Sequence, residues 1–203
     1  YYPGAADRID AFAARSDQPD RIDRGAAAAC VITPADTSPD GYFASEEVFA
    51  PAMSLHEIDE TDPEAYLLAA VAYANDTLHG TLGGNILIHP RTIRRIGNAR
   101  FEEIIAGFRY GTIAINAWTG VGFLLTVCPW GAFPGHTLDN VQSGIGSVHN
   151  TFMFDKPERT IVTGPWQPFP HNLLSGGHTL LPRPPWFVTN RRQHVVGRLL
   201  TRF

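Results

Sequence analysis

Residues 86–116 read ILIHPRTIRRIGNARFEEIIAGFRYGTIAIN, and this stretch decides the fold class. Two short apolar runs bracket it, Ile86–Ile88 and Thr112–Asn116. The second is dense in β-branched residues, which suit a pleated and buried backbone. His89-Pro90 stops the first run, and Thr92 to Phe108 reads as helical, with a break at Gly97-Asn98 and Gly107 near its end. A strand, a helix and a second strand in this order imply a parallel pair joined by a right-handed crossover.

The same alternation extends upstream. Asp62-Pro63 is a strong helix start, and Ala65, Leu68, Ala69, Ala72 and Tyr73 recur at helical spacing up to Asn75. Val48 to Ile58 precedes it as a strand interrupted near Pro51, and residues 33–46 are loop, with Pro34, Pro39, Asp40 and Gly41 as turn residues. Ala26 to Ile32 is a short buried run with a strand-like end. The first helix begins at Pro3, with Ile9 and Phe12 on one face. The expected fold is therefore α/β: a parallel sheet with helices on both faces. Its ligands should lie at the carboxyl ends of the strands. The long loop after Asn116, rich in glycine and aromatic residues, fits a site wall. Residues 1–158 form the main unit, 159–166 a separate strand, and 167–203 a proline-rich irregular tail. That tail ends in a helix from Thr189 to Thr201, with Val195, Val196, Leu199 and Leu200 as its apolar stripe. No internal repeat is visible.

Composition narrows the function classes. A chain of 203 residues with 44% hydrophobic and 18% charged residues carries enough apolar material for a packed core. Its net charge of -4 supplies no field for nucleic acid or an anionic membrane, and the arginines near the end (191, 192, 198 and 202) read as the solvated face of a helix. No apolar run approaches the roughly 18 residues of a membrane span, so neither nucleic acid nor membrane is an expected partner. The first residues do not read as a signal peptide. Cys30 and Cys128 are the two cysteines and have no C-x-x-C spacing, so a reducing, cytoplasmic location is expected. The eight histidines show no ligand spacing, and no metal is expected.

Five further segments carry the functional reading. They are Glu46-Glu47-Val48-Phe49-Ala50-Pro51, the Ala70 to Gly80 run AVAYANDTLHG, Gly111 to Asn116 (GTIAIN), Pro129-Trp130-Gly131, and Ser143-Gly144-Ile145-Gly146. Each is weak alone. In this order and spacing, from about residue 41 to 166, they resemble the aldehyde dehydrogenase family, whose members carry E-E-x-F-G-P, A-x-x-x-A-N-x-x-x-x-G, G-x-x-x-x-N, P-F-G-G and S-G-x-G motifs in sequence.

The resemblance implies an oxidoreductase that converts an aldehyde to an acid with NAD or NADP through a cysteine thiohemiacetal. By it, Glu47 would hydrogen-bond the nicotinamide ribose hydroxyls and Phe49 would pack beside the nicotinamide. Trp118, Phe123 and Trp130 would line the aldehyde tunnel, as befits an apolar substrate; their alternative reading is core packing. Ile161 to Trp166 sits where the family places an oligomerisation strand that pairs with a neighbouring subunit, so a homo-oligomer is expected. The nucleophilic cysteine, the general base, the oxyanion-stabilising asparagine and the dinucleotide-binding part would all lie N-terminal of Tyr1, and no catalytic residue is assigned to this chain. Cys30 lies too close to Glu47 in sequence for the family nucleophile. Such a portion alone should be inactive and prone to self-association.

Several positions depart from the family pattern. Ala50 stands in place of the glycine of E-E-x-F-G-P, Trp130-Gly131-Ala132 alters P-F-G-G, and His136 to Gln142 enlarge the loop before S-G-I-G. These departures and the unusual tail motivate a second reading, a catalytically inactive remnant serving as an interaction or oligomerisation module. A third, a hydrolase using Cys128 with His136 or His149, conflicts with the apolar context Val127-Cys128-Pro129-Trp130. Gly144-Ile145-Gly146 fails as a dinucleotide fingerprint because no strand closely precedes it.

Overall fold

A computed structural model describes residues 2–35 and 40–167, together with His194, Val195 and Arg198. The tail beyond residue 167 and most of the expected terminal helix lie outside the described residues; the three that fall within that helix are helical.

The stretch that decided the fold class forms a strand, a broken helix and a strand. Strand β4 (Gly83–Ile86) leads to helix α4 (Pro90–Ile96), then α5 (Asn98–Ala106), then strand β5 (Thr112–Ile115). The break falls at Gly97, whose φ of 94° is open to glycine and costly for residues with a Cβ. β4 begins earlier than its apolar content suggests, because its buried position is Gly84, seated under the Phe108 ring. Leu87, expected inside the strand, is 80% exposed.

β4 and β5 pair in parallel, and β5 pairs in parallel with β8 (Thr160–Thr163), giving the order β4-β5-β8. Every residue of β5 is buried. Its alternation divides the two faces of the sheet. Ile113 and Ile115 meet α5 and the preceding helix α3 (Pro63–Asp76) in a core with Leu67, Val71, Phe101, Ile104, Ile105 and Phe108. Each of these large side chains stabilises the fold by roughly 1.5–3 kcal/mol relative to exposure. Thr112 faces the other way, toward Gly122 of the short helix α6 (Gly120–Leu124). Asp62 caps α3 as its sequence suggests, accepting from the backbone N–H groups of Glu64 and Ala65 at 3.1 Å each, with Pro63 at the first turn.

The upstream strand does not join this sheet. It shrinks to β3 (Ala52–Leu55), just after Pro51, and pairs in parallel with β2 (Cys30–Pro34). β1 (Asp20–Ile22) adds to β2 antiparallel, so a second sheet forms with order β1-β2-β3. Helix α1 (Ala5–Ala13) and the single turn α2 (Tyr42–Ser45) cover it through Ile9, Phe12, Val31 and Phe43. A two-stranded ribbon, β6 (Trp130–Gly131) with β7 (Ser147–Val148), completes the described elements. The 160–163 segment, expected to pair with a neighbouring subunit, pairs here within its own chain; its other edge is free of strand partners among the described residues. No helix among the described residues is long and apolar enough to cross a membrane.

Candidate functional site

Glu46, Glu47, Val48 and Phe49 form one wall of a cleft of about 950 Å³ between the two three-stranded sheets. They stand there because α2 ends abruptly at Ser45, after which Glu46 turns extended (φ -100°, ψ 130°). Phe49 then adopts a φ of 51°, a left-handed conformation that costs a residue with a Cβ about 1–3 kcal/mol. Two contacts hold it. Arg8 Nη2 donates to the Phe49 carbonyl at 3.3 Å, and the Tyr2 ring meets the Phe49 ring edge-on at 5.5 Å. Its other face is open: Phe49 is 51% exposed.

The facing wall is built from the end of α3 and the loop before β7. The His79 N–H donates to the Ala44 carbonyl at 2.8 Å and ties this wall to α2. Gly80 takes a φ of 92° and donates its N–H to Gln142 Oε1 at 3.2 Å. Thr81 donates its N–H to Ser143 Oγ at 2.9 Å. A Cβ on Gly80 would press on that same Ser143 oxygen, so both its backbone angle and its neighbour require glycine. Tyr110 also lines the cleft; its buried phenol donates to the Ala74 carbonyl at 3.2 Å, and burial raises its pKa above the ordinary value. Glu46 and Glu47 are both exposed, and neither makes an ion pair or side-chain hydrogen bond among the described residues. They are carboxylates with free acceptor lone pairs, suited to a diol.

The third and fourth motif segments meet the rest through glycines. A Cβ on Gly111 would collide with the carbonyl of Gly131, and one on Gly131 with the carbonyl of Gly146. Gly111 and Gly131 therefore permit a backbone stack that no larger residue allows, while Gly146 is favoured as glycine by its φ of 81°. Asn116 closes the strand end: its amide donates to Ile88 O and accepts from Ile88 N, each at 2.9 Å.

Of the three expected tunnel residues, the structure brings two together. The rings of Phe123 and Trp130 meet edge-on at 5.5 Å, and His149 packs on Phe123 at 4.8 Å. Trp118 sits against Gly120 and is 43% exposed. None of the three is among the residues lining the Glu47 cleft. The sequence reading missed Gln142, Ser143 and Tyr110 as wall residues of the cleft. Only a positive φ of 44° marks Gln142, and that is invisible in residue identity.

Cys128 shows no hydrogen bond to histidine among the described residues, and His136 Nε2 is engaged with Thr81 Oγ1 at 2.6 Å. Cys30 accepts from Arg24 at 3.2 Å and lies outside the cleft lining. No group of three or more His, Cys, Asp or Glu among the described residues could hold a metal ion. Against known proteins, no family model matches the chain, and no curated protein or solved structure does so either.

Proposed function

We propose that this chain is one wall of an NAD(P)-dependent aldehyde dehydrogenase-type active site, completed by a segment outside it. Glu47 holds the nicotinamide ribose by accepting hydrogen bonds from its hydroxyls, and the open face of Phe49 bounds the nicotinamide ring. When bound, the dinucleotide supplies hydride acceptance; the residues of this chain bind and orient it. The nucleophilic cysteine, the general base and the oxyanion-stabilising asparagine come from elsewhere. Phe123 and Trp130, whose rings meet edge-on, form an apolar surface for an aldehyde.

One observation carries this reading. Residues of three of the five sequence motifs, spread over a hundred residues, line the Glu47 cleft, and the other two reach its wall through Gly111, which donates to Thr81, and Gly131, which packs on Gly111. The cleft also fits the dinucleotide chemically. It offers unpaired carboxylates for a diol and an exposed aromatic face, in a space of about 950 Å³. Aldehyde-dependent NADH or NADPH formation by the whole gene product, lost on Glu47→Ala while the fold is retained, is the expected result. An active protein indifferent to that substitution would remove Glu47 from the site.

A second reading, a catalytically inactive remnant acting as an interaction module, draws on a different observation. Leu138, Phe152 and Met153 are 88%, 65% and 84% exposed, an apolar load in need of a covering surface. A whole gene product that binds neither NAD nor NADP, yet assembles, would favour it.

A further inference from the structure

We propose that the hollow at the carboxyl ends of β4 and β8 is a second binding site, for a small organic anion that carries an aromatic ring. It lies at the opposite end of the parallel strands from the Glu47 cleft and does not depend on the dehydrogenase reading. The Glu47 cleft is lined by Leu82, Gly83 and Tyr110, where β4 and β5 begin. The hollow is lined by His89, just past β4, and by Trp166, just past β8. Carboxyl ends of parallel strands are the usual place for ligands of such sheets. Its volume, about 620 Å³, falls within the roughly 300–1,000 Å³ of small-molecule sites.

The lining sets the ligand class. Arg91 and Arg94 face the hollow with His89 and Asn98, and no carboxylate is among the described lining residues. Their neighbours on the same helical pair are neutralised: Arg95 pairs with Asp62 at 3.5 Å, and Arg100 with Glu64 at 2.6 Å. Arg91 and Arg94 have no such acid among the described residues. Two unneutralised guanidinium groups flanking one concavity suit a carboxylate or phosphate, which each can bind through a planar fork. His89 adds direction. Its Nδ1 accepts from the Arg91 N–H at 3.0 Å, so the neutral ring carries its proton on Nε2, as a donor. Trp166 supplies the ring surface. The indole is held edge-on by His89 at 5.1 Å yet remains 40% exposed, leaving area on which a flat ring can stack. Ile93 contributes an apolar patch between the two arginines.

The test is a calorimetric titration of the chain with phenyl phosphate, beside inorganic phosphate and benzyl alcohol. Phenyl phosphate should bind saturably and more tightly than either half-ligand. Arg91→Ala and Arg94→Ala should each weaken it about tenfold, and Trp166→Ala should reduce phenyl phosphate to the level of inorganic phosphate. All three side chains are exposed, so the fold should tolerate their loss. Arg95→Ala removes the same charge from the same helix outside the lining and should leave binding unchanged. The proposal is overturned by a phenyl phosphate affinity no better than that of either half-ligand, or by an Arg95→Ala loss equal to that of Arg94→Ala.

Discussion

The side chain of Asn116 grips both backbone groups of Ile88, donating to its carbonyl and accepting from its N–H at 2.9 Å each. It extends the β4–β5 pairing past the last paired residues, Ile86 and Ile115, by standing in for a strand's own peptide group. Asn116 does so at a φ of 53°, a conformation asparagine tolerates better than most residues. Asn116→Ala removes both bonds and strains the backbone, so it should lower stability by about 2–3 kcal/mol. Asn116→Gly keeps the backbone conformation and should cost about 1 kcal/mol less. Urea midpoints of the two variants check the ordering; an equal loss would mean that backbone conformation contributes nothing there.

Thr112 Oγ1 is buried without a hydrogen-bond partner among the described residues, in a side chain with no exposed surface. An unpaired buried hydroxyl costs about 1–3 kcal/mol. Thr112→Val keeps the shape and removes the unpaired group, so it should raise the thermal midpoint, with a gain of about 1 kcal/mol. A lower midpoint would show that the hydroxyl is satisfied in solution.

Tyr110 gives a pH dependence of defined sign. Burial raises its pKa, so the folded state holds the phenolic proton more tightly than the unfolded chain. The associated stability is fully present below the ordinary tyrosine pKa of about 10 and is lost as pH rises through the higher folded value. Denaturation followed from pH 8 to 11 should show this alkaline loss, and Tyr110→Phe should flatten it. The same variant loses the bond to Ala74 and should cost about 0.5–1.5 kcal/mol at neutral pH. An unchanged alkaline slope would assign the loss to other groups.

The exposed apolar residues of 138–154 should make the chain self-associate. Phe152, Met153 and Phe154 lie together in sequence and are each more than half exposed. Sedimentation velocity should show concentration-dependent association, reduced by Met153→Asp. A single monomeric boundary across concentrations would contradict this.

Much of the local structure was legible in the sequence, and its failures have physical causes. The Asp62-Pro63 helix start and the Gly97 break were legible because caps and left-handed glycines act within a few residues. β4 was displaced toward Ile86-Leu87-Ile88 because its real anchor, Gly84, is chosen for the Phe108 ring above it and carries no hydrophobic signal. That the upstream strand pairs with β2 in a separate sheet was not legible, since the partner is selected by long-range packing on Phe12 and Phe43. At the site, Glu47 and Phe49 were named from their motif and both line the cleft. Gln142 and Ser143 were not singled out as wall residues, because they enter it only through hydrogen bonds from Gly80 and Thr81, about sixty residues earlier.

The central claim is that the Glu47 cleft holds the nicotinamide end of a dinucleotide. Calorimetric titration of the whole gene product with NAD and NADP, before and after Glu47→Ala, tests it most directly. Glu47 is exposed and makes no described side-chain bond, so its loss should leave stability unchanged. The account predicts saturable binding of at least one dinucleotide, weakened about tenfold or more in the variant, since hydrogen bonds to a charged group contribute about 1.5–3 kcal/mol. Absence of binding in the folded parent, or equal binding by parent and variant, would contradict it.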